Sequence, residues 1–306
     1  MSGVVLDGKK INQEILNELR PRIATLSAKK RPPALAVVLV GNNPASQIYV
    51  RSKVKTCHEL GIRSIEITPP EDTTTDDLIQ QIIPLANDPD VDGILVQMPL
   101  PKQIDTEKVM SYVDASRDVD GFGLQSLGAL VLNRHAPRAC TPAGILEMLK
   151  RYQIPIASKH AVIVGRSDIV GKPMALLLLH ENATVTICHS RTQNLADECR
   201  RADILVAAIG RAAMLTKEYI RPGAVVIDVG MNRISDKAEV QRLFAHEPAR
   251  LVSFEKNGTA LVGDVDPKAM KELSSYYTPV PGGVGPLTIA MLMANTVQLA
   301  EDHLLQ

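Results

Sequence analysis

The sequence predicts an α/β protein built as two α/β domains, and three observations carry that expectation. Its 306 residues amount to about two domains at a typical size of roughly 150 residues each. In the first half, apolar runs of strand length alternate with stretches of helical period, which is how a parallel sheet covered on both faces reads. Near residue 140 the alternation restarts in βαβ order.

Taken in order, Asp7 is placed to cap a helix whose apolar positions Ile11, Ile15, Leu19, Ile23 and Leu26 share one face, and the pattern persists through Pro21. Residues 34–40 are continuously apolar and end at Gly41-Asn42-Asn43-Pro44, so they read as a buried strand. A helix follows from about Pro44 to Leu60, closed by Gly61. Residues 62–68 alternate like a strand, Thr75 opens another helix, and 93–97 form a further buried strand. Thr141-Pro142 reads as an N-cap and first-turn proline. Beyond it come strands at 160–165, 183–189, 203–210 and 224–230, with a helix through 174–182. The last helix, about 288–304, sets Ile289, Leu292, Thr296 and Leu299 on one face and is expected to pack back on the first domain. The expected division is therefore 1–140 plus 287–306 against 141–286.

Composition excludes several function classes. Thirty-four Lys and Arg balance 34 Asp and Glu, so no long-range field is available to hold a nucleic acid or an anionic membrane. Aromatic residues make up 3% with no Trp, too few for a platform of stacked bases. Cys57, Cys140, Cys188 and Cys199 show neither a disulfide framework nor metal-ligand spacing, and the dispersed histidines add none. The first residues lack the basic-then-apolar order of a signal peptide, and no apolar run reaches the roughly 18 residues of a membrane span. A soluble cytoplasmic chain with reduced thiols and no metal is expected.

Between a clear strand and a clear helix lies Gly165-Arg166-Ser167-Asp168-Ile169-Val170-Gly171, a G-x-S-x-x-x-G variant of the dinucleotide turn. Gly165 permits the tight turn, Gly171 permits close helix packing, and the amides at the helix start face a phosphate. By itself such a turn is equally compatible with a glycine loop that holds nothing. The end of the next strand sharpens the reading. An acid there would accept the ribose 2′-hydroxyl of NAD, but the residues are Cys188-His189-Ser190-Arg191-Thr192. Arg166, Arg191 and Ser190 instead suit a 2′-phosphate, which favours NADP and a Rossmann-type second domain. The alternative for each arginine is a solvated surface charge. His189 reads as a strand-end residue near the cofactor.

On the helix from Pro44, Ser46, Tyr49 and Lys53 share one face beside the apolar arc Val50, Val54 and Cys57. A lysine at that edge loses hydration, which favours the neutral base that proton transfer needs. A snorkelling lysine on an amphipathic surface helix is the bland alternative. Gln97 follows the end of a parallel strand, where open α/β sheets build their sites. Asp118-Val119-Asp120-Gly121-Phe122 offers either a turn or a carboxylate presented to a ligand, and the positions after it exclude a calcium loop.

Eight motifs now stand in order: Tyr49 to Lys53, Val96 to Pro101, Asp118 to Phe122, Cys140 to Pro142, Gly165 to Pro173, Val226 to Arg233, Val262 to Val265 and Thr278 to Pro286. Together they resemble the bifunctional methylenetetrahydrofolate dehydrogenase/methenyltetrahydrofolate cyclohydrolase family over almost the whole chain. Met98 and Met231 depart from its commoner residues by volume-conserving swaps. The resemblance implies two reactions in a cleft between the domains. Hydride passes from 5,10-methylenetetrahydrofolate to NADP, and water then opens the methenyl product to 10-formyltetrahydrofolate. It implies Lys53 assisted by Gln97 for the proton transfers, Tyr49 along the folate rings, and Asp120 on the pterin edge. Pro279 and Gly283 would lie on a loop against the substrate. Gly165, Arg166, Ser167, Gly171, Ser190, Arg191 and Met231 would hold the cofactor. A homodimer joined through the nucleotide domains is also implied. Two rivals are a dehydrogenase without cyclohydrolase activity and a dinucleotide-binding regulatory module without catalysis.

Overall fold

The computed structural model of the protein describes residues 3–29 and 31–305. The chain packs as two compact units, one of residues up to Ile11 with Thr141–Thr288, the other of Asn12–Cys140 with residues from Ile289 onward.

The second of these contains a three-stranded parallel sheet in the order Arg63–Ile67, Ala34–Val38, Gly93–Val96. All five residues of the central strand are buried, which is why its sequence is continuously apolar. Leu78, Ile79, Ile82 and Leu85 of helix Thr75–Asn87 cover one face, against Ala36, Val38, Ile94 and Val96. The long helix Gly8–Ala28 starts where Asp7 Oδ1 accepts the N–H groups of Lys9 (2.9 Å) and Lys10 (3.1 Å). Its five predicted face residues are all buried. Arg22 on this helix makes a forked pair with Glu301 of the last helix, at 2.9 and 2.5 Å. Leu35 is fully buried at the sheet centre. Leu35→Ala should cost about 2–5 kcal/mol, read as a lower urea midpoint for this unit's transition.

The other unit holds a six-stranded, all-parallel sheet. Its order is Val4–Val5, Tyr276–Tyr277, Val225–Asp228, Ile204–Ala207, His160–Val164, Thr184–Cys188. The N-terminal residues thus sit in this unit and not in the first domain expected for them, because Val4 and Val5 pair in parallel with Tyr276 and Tyr277. A two-residue strand has no period to read. Also unforeseen is an antiparallel pair, Asn232–Ile234 with Ala260–Val262, carrying helices Lys237–Phe244 and Pro248–Asn257 around Val240, Leu243, Phe244 and Phe254. Helix Cys140–Arg151 begins before Thr141, whose hydroxyl meets that of Thr288 at 2.8 Å instead of serving as the predicted N-cap. The last helix runs Val284–Leu304, longer than its periodic face suggested.

Candidate active site

In the unit built on the three-stranded sheet, Asn43 Oδ1 accepts the Ser46 N–H (3.2 Å) at the start of helix Pro44–Leu60. One turn beyond Tyr49, Lys53 enters the interior and is only 8% exposed. Its Nζ donates to Gln97 Oε1 at 3.0 Å. The Gln97 amide is oriented by its own Nε2, which donates to the Met98 carbonyl at 2.7 Å. Gln97 stands directly after strand Gly93–Val96, so the sheet end supplies one partner and the helix the other. Tyr49 is 42% exposed on the same helix, and Ser46 is buried.

Of the two aspartates of the acidic loop, one ties the turn. Asp118 is buried and ties the turn, accepting Gly121 N–H on Oδ1 (3.0 Å) and Gly123 N–H on Oδ2 (2.7 Å). Asp120 is partly exposed, and desolvation pushes its carboxyl up to about 6, with Lys53 pulling down and Asp118 pushing up. Lys53, Gln97 and Asp120 thereby form one electrostatic group. Asn295 completes the support, since its Nδ2 donates to Val119 O (2.8 Å) and Arg138 O (3.0 Å) and so fixes the peptide before Asp120. Sequence reading passed over Asn295. Its signal is an amide on the apolar face of the last helix, which needs a partner when buried. Cys140 lies beneath, in contact with Val119 O at 3.4 Å, and burial pushes its thiol up.

In the other unit, a Cβ on Gly165, whose φ is +134°, would fall 2.2 Å from Ala208 O, and one on Gly171 would fall 2.3 Å from Gly165 O. The turn therefore requires both glycines. Ser167 Oγ accepts the Val170 and Gly171 N–H groups (3.3 and 3.4 Å), so it ties the turn that leads into helix Gly171–His180. Arg166, Ser190 and Arg191 are exposed past the ends of strands His160–Val164 and Thr184–Cys188, and neither arginine has an ion pair among the described residues. The loop of Ser190 and Arg191 is pinned from within: His189 N–H donates to Thr192 Oγ1 (2.8 Å), and Arg191 N–H to His189 Nδ1 (3.1 Å). No carboxylate occupies residues 188–192, so bare backbone and unpaired cations here fit a phosphorylated dinucleotide. Met231 is 44% exposed, and its sulfur lies 3.6 Å from where a Gly285 Cβ would stand. Gly283 has a nearer cause than ligand approach: its Cβ would fall 2.7 Å from Pro279 O, and its N–H donates to that oxygen at 2.8 Å. Two buried aspartates that sequence reading assigned no role, Asp228 and Asp264, tie the neighbouring loops.

Among the described residues no helix is long and apolar enough to cross a membrane, and no three His, Cys, Asp or Glu side chains cluster as a metal site. The four cysteines are buried thiols, and burial pushes Cys57 and Cys199 up to about 12.

Residues 6–120 match the model of the tetrahydrofolate dehydrogenase/cyclohydrolase catalytic domain, and residues 139–304 match that of the NAD(P)-binding domain of the same family. A relative from Solibacter usitatus, named bifunctional protein FolD, is 60% identical over 297 residues, covering 97% of each chain. A solved bifunctional methylenetetrahydrofolate dehydrogenase/cyclohydrolase from Campylobacter jejuni superposes with a TM-score of 0.89 at 41% identity, over 98% of this chain and 99% of that one. A Trypanosoma brucei methylenetetrahydrofolate dehydrogenase-cyclohydrolase, solved with NADP and an inhibitor, gives 0.89 at 34% identity, over 99% of both.

Proposed function

The chain belongs to the tetrahydrofolate dehydrogenase/cyclohydrolase family, and from that premise we propose how its own residues carry the two reactions. The overall conversion is NADP-dependent oxidation of 5,10-methylenetetrahydrofolate to the methenyl cation, followed by hydrolysis to 10-formyltetrahydrofolate. The observation that carries the assignment is the 3.0 Å hydrogen bond between a nearly buried lysine and an oriented glutamine, together with Asp120, whose carboxyl desolvation raises to about 6.

Asp120 accepts hydrogen bonds from the pterin amino and ring N–H groups and so fixes the ring edge, a two-point contact that rejects ligands lacking it. Tyr49 lies along the ring face. Gly165, Ser167 and Gly171 would shape the turn for the cofactor pyrophosphate, Arg166, Ser190 and Arg191 would hold its 2′-phosphate, and Met231 would line the cofactor site. NADP supplies the hydride acceptor. Hydride loss leaves a cation that the two folate nitrogens stabilise, so in this step the protein mainly aligns the reactants. In hydrolysis, water adds to the methenyl carbon and loses a proton to Lys53 Nζ. The carbon–N5 bond then breaks as Lys53 returns that proton to N5, and the formyl group stays on N10. Gln97 Oε1 keeps Nζ in place.

Methylenetetrahydrofolate-dependent NADPH formation, followed by absorbance, tests the first reaction, and decay of supplied methenyl substrate tests the second. Absence of either from the folded protein would overturn the bifunctional reading. Arg191→Ser should lower kcat/KM for NADP about 10–100-fold, the worth of a charged hydrogen bond of roughly 1.5–3 kcal/mol, and leave NAD use almost unchanged. Equal losses with both cofactors would remove the 2′-phosphate role. The homodimer implied by the resemblance is proposed with this function, and light scattering would measure it.

A further inference from the structure

Asp228 and Asp264 lie 36 positions apart, and both are buried almost completely. Neither has a lysine or arginine within ion-pair distance among the described residues, yet the two carboxylates collect six backbone N–H groups between them. Asp228 Oδ1 accepts from Gly230 (2.9 Å) and Asp264 (2.8 Å), and its Oδ2 accepts from Val265 (2.9 Å). Asp264 Oδ2 accepts from Ile209 (2.6 Å) and Gly210 (3.0 Å), and its Oδ1 from Arg211 (2.9 Å) and from the Asn232 side-chain Nδ2 (2.9 Å). The first aspartate thus grips the backbone of the second and of Gly230, and the second grips loop 209–211 and the side chain that opens strand Asn232–Ile234. A Cβ on Gly263 would fall 1.8 Å from Asp228 Oδ2, so glycine there is the condition for this approach.

The loops held in this way are 209–211, past strand Ile204–Ala207, and 229–232, past strand Val225–Asp228. Both leave the C-terminal edge of the parallel sheet, where doubly wound folds receive the far half of a dinucleotide. The 2′-phosphate residues Arg166, Ser190 and Arg191 follow other strands of the same sheet. Burial pushes the Asp228 carboxyl up to about 7 against the pull of its three N–H donors, and each buried carboxyl is stable only while its donors remain in place. The arrangement is therefore stiff, and a shift of either loop breaks several charge-assisted bonds at once.

We propose that Asp264, itself gripped by Asp228, is a positioning residue that holds loops 209–211 and 229–232 in register against the nicotinamide half of the cofactor. The inference rests on the dehydrogenase function proposed above. It makes the aspartate pair a requirement of hydride transfer and not of hydrolysis, which uses no cofactor.

Asp264→Asn tests it, because the amide keeps the shape but turns a donor toward backbone donors. The KM for NADP should rise at least 10-fold, with an equal factor for NAD, while hydrolysis of supplied methenyl substrate stays within 2-fold of the parent. Asn232→Ala leaves both carboxylates in place but removes the side-chain donor to Asp264 Oδ1, together with that amide's bonds to the Val262 and Gly263 carbonyls, and should move the same constants in the same direction by 3-fold or more. An unchanged KM in both variants overturns the proposal, as does a matching loss of both activities, which would mark a merely structural role. If Asp264→Asn does not fold, Asn232→Ala decides alone. A parent enzyme without dehydrogenase activity would refute the underlying function instead, so the two failures are distinct.

Discussion

Lys53→Ala should slow hydrolysis of methenyltetrahydrofolate by about 10²–10⁴-fold, the range that a positioned acid–base group contributes. Alanine leaves no group at Nζ to take a proton from water, and the Gln97 carbonyl that held it loses its donor. Hydride transfer should fall far less, since it moves no proton and its product cation is stabilised by the folate itself. Lys53→Arg separates charge from basicity: arginine keeps the positive charge and the donors but does not deprotonate in proteins. It should therefore be as poor in hydrolysis as alanine. Both variants are measured with the methenyl substrate supplied directly, so that a dehydrogenase defect does not enter. Full hydrolysis by Lys53→Ala would sink the assignment.

How much of this was legible beforehand depended on the range of the interactions involved. Helix Pro44–Leu60 is legible with its ends because its start and stop signals, Pro44 and Gly61, are local. Central strands were equally legible, since burial on both faces leaves an uninterrupted apolar run such as that of Ala34–Val38. Thr141 misled, because a hydroxyl beside a proline looks like a cap until Thr288 supplies a competing partner. The strands Val4–Val5 and Tyr276–Tyr277 exist only because they pair with one another and with Val225–Asp228. Within the site, Lys53 and Gln97 stand out from helix spacing and strand ends, whereas spacing alone does not separate Asp118 from Asp120 and only the family resemblance names Asp120. The choice turns on which carboxylate the loop's own amides consume, and Asp118 takes those of Gly121 and Gly123. Asp228 and Asp264 were hidden for a related reason, because an aspartate ending an apolar strand carries no mark of the N–H groups it will meet tens of residues away.

Asp120→Asn should cost both reactions about 10²-fold or more in kcat/KM, because an amide in place of the carboxylate leaves one of two pterin donors facing another donor. The pH dependence separates this role from simple packing. With the carboxyl pushed up to about 6, the parent enzyme binds folate well only above that pH, where Asp120 is ionised and accepts from both N–H groups. Its kcat/KM should therefore climb through about pH 6, and Asp120→Asn should lose that limb. Folding responds with the opposite sign. Between about pH 4 and 6 the folded chain holds a proton that an unfolded aspartate has released, so this group's contribution to stability is full below about pH 4 and is lost as pH rises through 6. Relative to the parent, Asp120→Asn should consequently gain thermal stability between pH 4.5 and pH 7, measured as the difference in Tm. A constant difference would show that Asp120 does not titrate in this window, and the low-pH limb would then belong to another group. The carboxylate form that reads the pterin is thus the form that the fold tolerates least, and the enclosure that makes Asp120 selective is what makes its charge costly.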